Sequence, residues 1–121
     1  MLNTGDWLKD LVGIKYIPNG RDPENGFFCC GLVEWVQTKR GKPMPELSIE
    51  PEIWRTVFDD MGWPCEVERY DVIIFDTPKG AHVAVAVSSS EMIHAWEQAG
   101  QVVQEPIRRR AGNIRTVARA K

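Results

Sequence analysis

Cysteine and histidine are scarce in this 121-residue chain, which contains three cysteines and two histidines. Three cysteines cannot all pair within one chain, and no two of them have the CxxC spacing of a zinc knuckle. The sequence therefore predicts neither a disulfide framework nor a metal site, and we expect no cofactor. What remains is a set of thiols that are either reactive or simply buried.

Long apolar runs are also absent. No run approaches the roughly 18 residues of a membrane span, and charged residues interrupt the first twelve positions at Asp6, Lys9 and Asp10. We therefore expect no membrane insertion, no signal peptide and synthesis in the cytoplasm. A formal net charge of −2 gives no overall attraction to nucleic acid, so no nucleic-acid partner is expected.

The C-terminal end is locally basic, and two explanations of this remain open. Its cations could form a solvated or partner-facing edge, or they could bind a polyanion. The residues concerned are Arg108, Arg109, Arg110, Arg115, Arg119 and Lys121.

The periodicity of apolar residues changes half-way along the chain. Helical spacing predicts helices over 4–12, from Cys29 to about Arg40, and over 51–61, with a Gly/Pro loop over 13–28. Short β-branched runs follow over 71–76, 82–87, 91–96, 101–107 and 113–118. Helices followed by strands indicate one α+β domain over residues 1–121, with N-terminal helices packed on an antiparallel sheet.

Cys29 opens the second predicted helix, directly after the loop. A helix N-terminus lowers the pKa of a thiol and offers free N–H groups to a developing oxyanion. Gly31 would let another backbone or a substrate approach closely. The alternative is that Cys29 is a small buried hydrophobe, the usual role of a free cysteine. Cys65, beside Pro64, is predicted to be a spectator thiol.

The two histidines, His82 and His94, lie on predicted neighbouring strands separated by the turn-like Ser88–Ser90. If those strands form a hairpin, paired residue numbers sum to 176 or 178, and the histidines are direct or diagonal neighbours. This predicts Cys29 as nucleophile, His82 as general base and His94 as the group that orients His82. The alternative is that both histidines are structural.

Strand alternation makes two further predictions about the faces of the sheet. His82 shares a face with Ala84 and Ala86, and small residues there would let the helix of Cys29 approach. Trp96 falls on the same face as His94. The other tryptophans are scattered and are interpreted as core or pocket walls.

Several segments, in order, resemble the NlpC-type cell-wall peptidases, which are papain-like cysteine peptidases. The resemblance rests on Gly13–Tyr16, Gly26–Val33, Asp71–Phe75, His82–Val85 and Met92–Ala95. It implies a papain-like fold, a triad of Cys29, His82 and His94, and Tyr16 beside the nucleophile. It also implies hydrolysis of amide bonds in peptidoglycan (murein) stem peptides. The chain is most similar to short versions from phage tail modules, which implies phage tail partners and association with the virion.

The sequence departs from the pattern of these peptidases beside the nucleophile. Phe28 stands where they usually have aspartate, and Cys30 where they have serine or tryptophan. The C-x-G-L spacing selects Cys29 as nucleophile, because Cys30 would point about 100° away around the helix. We expect Tyr16, Phe28, Cys30 and Trp96 to contact substrate, with a more apolar pocket at Phe28.

Two other functions remain open at this level. The chain could be a catalytically degenerate copy that serves as an assembly or structural protein of a phage tail. It could also be another papain-like enzyme, such as an amidase, a transglutaminase-type enzyme or an acyltransferase, because the same triad serves all of these reactions.

Overall fold

The computed structural model of the protein describes residues 7–44 and 66–119. The predicted helix over 51–61 and the predicted spectator thiol Cys65 lie outside the described residues. Among the described residues, no helix is both long enough and apolar enough to cross a membrane.

One α-helix, α1, spans Cys29–Lys39 and confirms the helix predicted to begin at the first cysteine. The helix predicted over 4–12 is different: its described part contains only a 3₁₀ turn at Lys9–Leu11. Extended backbone at Val12 ends this turn, and Gly13 follows with a positive φ of 94°. Leu8 and Leu11 are nevertheless buried, so the apolar spacing was correct although the helix is short.

The second half of the described chain forms an antiparallel sheet of five strands, which are β3 (Val72–Thr77), β4 (Gly80–Ala86), β5 (Glu91–Trp96), β6 (Gln101–Pro106) and β7 (Ile114–Ala118). Their order across the sheet is β6-β5-β4-β3-β7. The five predicted strands are confirmed with small shifts at their ends. Within the predicted loop over 13–28, a short ribbon forms from β1 (Arg21–Asp22) and β2 (Gly26–Phe27).

The helix packs on the valine face of the sheet, and the predicted face was wrong. Buried residues of α1 share one core with branched side chains of β4: Leu32, Val33, Val36, Val83 and Val85. Branched side chains fill the gap between a helix and a sheet, which alanines leave open. Ala84 and Ala86 instead belong to the core on the other face, with residues such as Ile73 and Met92.

Gly31 is required where α1 meets the β1–β2 ribbon. A Cβ atom built on Gly31 would lie 2.0 Å from the carbonyl oxygen of Gly20 and 3.0 Å from Cα of Arg21. The predicted close approach is therefore confirmed, and the neighbour is backbone of the same chain. This contact fixes the start of α1, and hence Cys29, against the ribbon.

The basic C-terminal segment forms ion pairs within the fold. Arg119 donates two 2.8 Å hydrogen bonds to the buried carboxylate of Asp71. Nε of Arg115 lies 2.7 Å from Oδ1 of Asp76. These cations are paired with acidic residues of β3 or of the turn before it, which favours a structural use of this segment over a polyanion site.

Candidate active site

Cys29 stands at the first residue of α1, half-buried, where the helix meets β4. Its pKa is about 5, well below the ordinary thiol value. The largest cause is a hydrogen bond from the Cys30 thiol. Contacts with His82 and with the N–H of Val83 lower the pKa further, whereas burial raises it. The Cys29 thiolate is therefore the stable form at neutral pH, as a nucleophilic cysteine requires.

His82 and His94 form a hydrogen-bonded pair on β4 and β5. Nε2 of His82 lies 2.9 Å from Nδ1 of His94, and the two rings are nearly perpendicular at 78°. Both side chains are buried. The register Val85↔Ile93 gives the sum of 178, one of the two predicted values, and makes the histidines diagonal neighbours.

Beyond His94, a carboxylate continues the chain of hydrogen bonds. Nε2 of His94 lies 3.0 Å from Oε1 of Glu105, on β6. Nε of Arg110, in the 3₁₀ helix Ile107–Asn113, donates to the same oxygen at 2.8 Å. The sequence reasoning missed Glu105 and Arg110. Extending strand alternation from β5 to β6 would have placed Glu105 on the face of His94.

The charge states of His94 and Glu105 follow from their burial and their contacts. Burial lowers the pKa of His94 to about 4, an effect that the neighbouring His82 increases. The pKa of Glu105 is lowered even though burial opposes the shift, because the hydrogen bond from Arg110 and the contact with His94 stabilise the carboxylate. At neutral pH, His94 is thus neutral and Glu105 is ionised.

Aromatic rings enclose the histidine pair. The ring of Trp96 lies 5.1 Å from that of His82 and 5.2 Å from that of His94, both edge to face. Phe75 makes similar contacts with the two histidines, at 5.1 and 5.6 Å. The guanidinium of Arg110 lies 4.8 Å from the centre of the Trp96 ring. Trp96 is therefore on the face of His94, as alternation predicted.

Tyr16 lies near Cys29, where the resemblance placed it. Burial raises the pKa of its phenol, and the negative charges of Cys29 and Glu97 raise it further. The phenol donates a hydrogen bond to Glu97, an exposed residue that follows Trp96. Tyr16 is half-buried and so keeps surface that a substrate could contact.

Phe28 and Cys30 do not offer such a surface, and the prediction that they contact substrate is corrected. Only 3% of Phe28 and 0% of Cys30 is exposed, because both pack into the core between α1, the ribbon and the sheet. The Cys30 Sγ lies 3.9 Å from that of Cys29. Its hydrogen bond to the Cys29 thiolate, together with burial, raises the pKa of Cys30, which keeps its proton.

Within residues 7–44 and 66–119, no group of three or more His, Cys, Asp or Glu side chains is arranged to hold a metal ion. The site brings together the Cys29 thiolate, the imidazoles of His82 and His94, and the Glu105 carboxylate, which is paired with Arg110. A thiolate in contact with an imidazole that a third group orients is an arrangement capable of acyl transfer.

Comparison with solved structures identifies the architecture. A Staphylococcus aureus protein described as similar to a lipoprotein of the NLP/P60 family superposes with a TM-score of 0.73 over 95% of this chain, at 21% identity. The NlpC/p60 domain of the peptidoglycan hydrolase SagA superposes with a TM-score of 0.67 over 93% of this chain, at 22% identity. The chain has the NlpC/P60 fold.

A third structure agrees with this assignment. The peptidoglycan hydrolase RipB from Mycobacterium tuberculosis matches with a TM-score of 0.65 and 25% identity over 92% of this chain. The chain spans 92% of the SagA domain, 59% of RipB and 39% of the S. aureus protein. It therefore corresponds to only a part of the two longer proteins. No family model matches the sequence, and no curated protein matches it either.

Proposed function

We propose that the chain is a cysteine peptidase that hydrolyses amide bonds in peptidoglycan stem peptides, with Cys29 as nucleophile, His82 as general base and His94 as orienting group. The observation that carries the proposal is the contact of a low-pKa thiol at a helix start with a histidine that is itself hydrogen-bonded to a second histidine. A structural cysteine in a core needs none of these features.

The reaction follows the chemistry of such triads. The Cys29 thiolate attacks the carbonyl carbon of the amide, and N–H groups of the first turn of α1 stabilise the oxyanion. The C–N bond breaks as protonated His82 gives its proton to the leaving amine, which leaves a thioester on Cys29. His82 then removes a proton from water, which attacks the thioester and releases the carboxylic acid and the thiolate.

The substrate is proposed from the similar structures, two of which are described as peptidoglycan hydrolases. Tyr16 and Trp96 keep exposed surface beside the triad and are the side chains that we expect to contact the stem peptide. Phe28 and Cys30 act from the core, through the position and the pKa of Cys29.

The test is digestion of purified peptidoglycan, with the released peptides identified by mass spectrometry. The wild-type protein should release stem-peptide fragments with new amine ends, and Cys29→Ala should abolish the release with an unchanged circular dichroism spectrum. Asp76→Asn is the matched control, because it removes an exposed ion pair of the same sheet without touching the triad. Equal release by Cys29→Ala and the wild type would contradict the proposal.

Two outcomes would favour the alternatives. Intact peptidoglycan together with a strongly reactive Cys29 would point to another amide or ester substrate, such as that of an acyltransferase. Intact peptidoglycan together with an unreactive Cys29 would point to a degenerate copy in a structural role. Synthesis in the cytoplasm and association with a phage tail remain predictions from the sequence, and co-purification with assembled tails tests the second.

A further inference from the structure

We propose that Glu105, held by Arg110, is a positioning residue. It fixes which ring nitrogen of His94 carries the proton, and through His94 it fixes which nitrogen of His82 is left to face Cys29. This inference rests on the proposed function, because it concerns the same reaction. It adds two residues beyond the Cys-His-His triad and gives them the role of setting the tautomers of both histidines.

The direction of these hydrogen bonds is fixed at Glu105, the member of the series that is farthest from Cys29. An ionised carboxylate can only accept hydrogen bonds. Since Oε1 of Glu105 lies 3.0 Å from Nε2 of His94, that nitrogen must carry the proton and donate it. The geometry therefore selects one tautomer of His94.

The tautomer of His94 decides that of His82. A neutral imidazole has one protonated nitrogen, so Nδ1 of His94 is left as an acceptor. Nε2 of His82, 2.9 Å away, must then be the donor. The remaining nitrogen of His82, Nδ1, is the one available to Cys29, and it is the atom that takes up and returns the proton.

Arg110 holds the Glu105 carboxylate in the orientation that accepts the hydrogen bond from His94. Its Nε donates to the same Oε1 at 2.8 Å, and Arg109 reaches the other oxygen at 3.4 Å. The guanidinium of Arg110 is in turn seated against Trp96 and Phe75. Among the residues that the structure describes, the charged groups that act on the histidines are Cys29 from α1, Glu105 from β6 and Arg110 from the 3₁₀ helix.

A merely structural role for Glu105 is the competing explanation, and energetics argues against it. A carboxylate that is only 7% exposed loses most of its hydration, and an apolar residue at this strand position would avoid that cost. What an apolar residue could not do is accept a hydrogen bond from His94. The carboxylate is therefore best explained by the proton arrangement that it imposes.

The first test reads the tautomers directly and needs no change at Glu105. The chain has only two histidines, so ¹⁵N-histidine labelling gives spectra with two rings to assign. In the Cys29→Ala protein at slightly alkaline pH, both rings should carry the proton on Nε2 and leave Nδ1 bare. A proton on Nδ1 of either ring would overturn the proposal, whether or not the wild-type protein hydrolyses peptidoglycan.

The second test uses a pair of substitutions at one position. Glu105→Gln keeps an acceptor, which the Arg110 Nε–H should continue to orient, whereas Glu105→Met removes it. In the Cys29→Ala background, Glu105→Gln should retain both tautomers and Glu105→Met should give mixed ones. In the active protein, Glu105→Met should lower kcat ~10–100-fold with little change in KM, because Glu105 does not touch substrate.

Controls separate this proposal from a loss of fold and from a failure of the proposed function. Asp76→Asn should leave the tautomers and kcat unchanged, since Asp76 alternates with Phe75 and so lies on the face of β3 opposite to the one that contacts the histidines. Folded Glu105→Met protein with wild-type tautomers and wild-type kcat would overturn the role of Glu105. If wild-type protein shows no hydrolysis, the proposed function fails, but the tautomer measurements still decide whether Glu105 sets the tautomers of the two histidines.

Discussion

Nε2 of His82 lies 2.9 Å from Nδ1 of His94, across two strands that are joined by a short serine-rich turn. The contact depends on the register of β4 and β5, in which Val85 faces Ile93 and Ala86 faces Met92. A shift of this register by one residue would move one histidine to the opposite face and break the pair. The catalytic role proposed for the pair thus depends on a local feature of one hairpin.

Substitution of His94 should impair hydrolysis without destroying the nucleophile. His94→Leu removes the acceptor for Nε2 of His82, so we expect kcat to fall ~10²–10⁴-fold, as in other triads that lose the orienting group. His94→Gln can still offer an amide oxygen and should retain more activity. Initial rates of peptidoglycan digestion measure both, and circular dichroism checks the fold.

Equal rates for His94→Leu and wild type would contradict a role for His94 in orienting His82. Asp76→Asn provides the control for general effects on the sheet.

The features predicted correctly from the sequence are those that depend on local periodicity. The start of α1 at Cys29, the strand of His82 and that of His94 follow from apolar spacing and from turn residues between them. Glu105 escaped notice because its contact requires the β5–β6 register, with Met92 opposite it, and a 3₁₀ helix that brings Arg110 back over the sheet. Neither can be read from a single segment.

The errors beside the nucleophile have a similar origin. Phe28 and Cys30 flank Cys29 in sequence, which suggested that they contact substrate. Their burial results from the β1–β2 ribbon, whose backbone approaches α1 at Gly31. Alternation separated the two faces of β4 correctly, but it did not indicate which face α1 covers, and valine packing decided that.

The reactivity of Cys29 should depend on its neighbour Cys30. The rate of alkylation of Cys29 by iodoacetamide should rise with pH around a midpoint of about 5, the pKa of that thiol in the fold. Because the Cys30 thiol donates a hydrogen bond to the thiolate, Cys30→Ala should raise the midpoint. Cys30→Ser keeps a donor and should raise it less. Tandem mass spectrometry distinguishes the modified thiols.

Protein unfolded in guanidinium chloride serves as the reference and should show a midpoint near the free-thiol value of ~8.5. An identical midpoint in folded Cys30→Ala and wild-type protein would rule out the contribution of Cys30.

The buried, neutral His94 should make the fold sensitive to acid. Its pKa is lowered from 6.5 to about 4, so between these values the unfolded chain binds the proton more readily than the folded one. This contribution to stability is complete above about pH 6.5 and is lost as the pH falls toward 4. Its full size is on the order of 3 kcal/mol, at ~1.4 kcal/mol for each pKa unit.

Urea unfolding of Cys29→Ala protein at several pH values between 5 and 7.5 measures this effect without titration of the Cys29 thiol. Adding His94→Gln should flatten the dependence of the unfolding free energy on pH. A dependence that persists unchanged in the double variant would show that another group is responsible.

Gly31 should be intolerant of even one methyl group. Its Cβ position lies 2.0 Å from the Gly20 carbonyl oxygen, so Gly31→Ala must push α1 away from the ribbon. We expect a loss of ~1–3 kcal/mol in the free energy of unfolding, typical of overpacking. Because the start of α1 carries Cys29, the displacement should also lower kcat for peptidoglycan hydrolysis.

Gly112 supplies the matched control for Gly31. A Cβ there meets nothing within 4 Å, and its φ lies outside the positive range, so Gly112→Ala should leave both stability and kcat close to wild type. Urea titrations of the two variants, run beside digestion assays, make the comparison. If Gly31→Ala is as stable and as active as Gly112→Ala, the ribbon does not position the nucleophile. A variant that is destabilised yet fully active would separate the structural contact from the placement of Cys29.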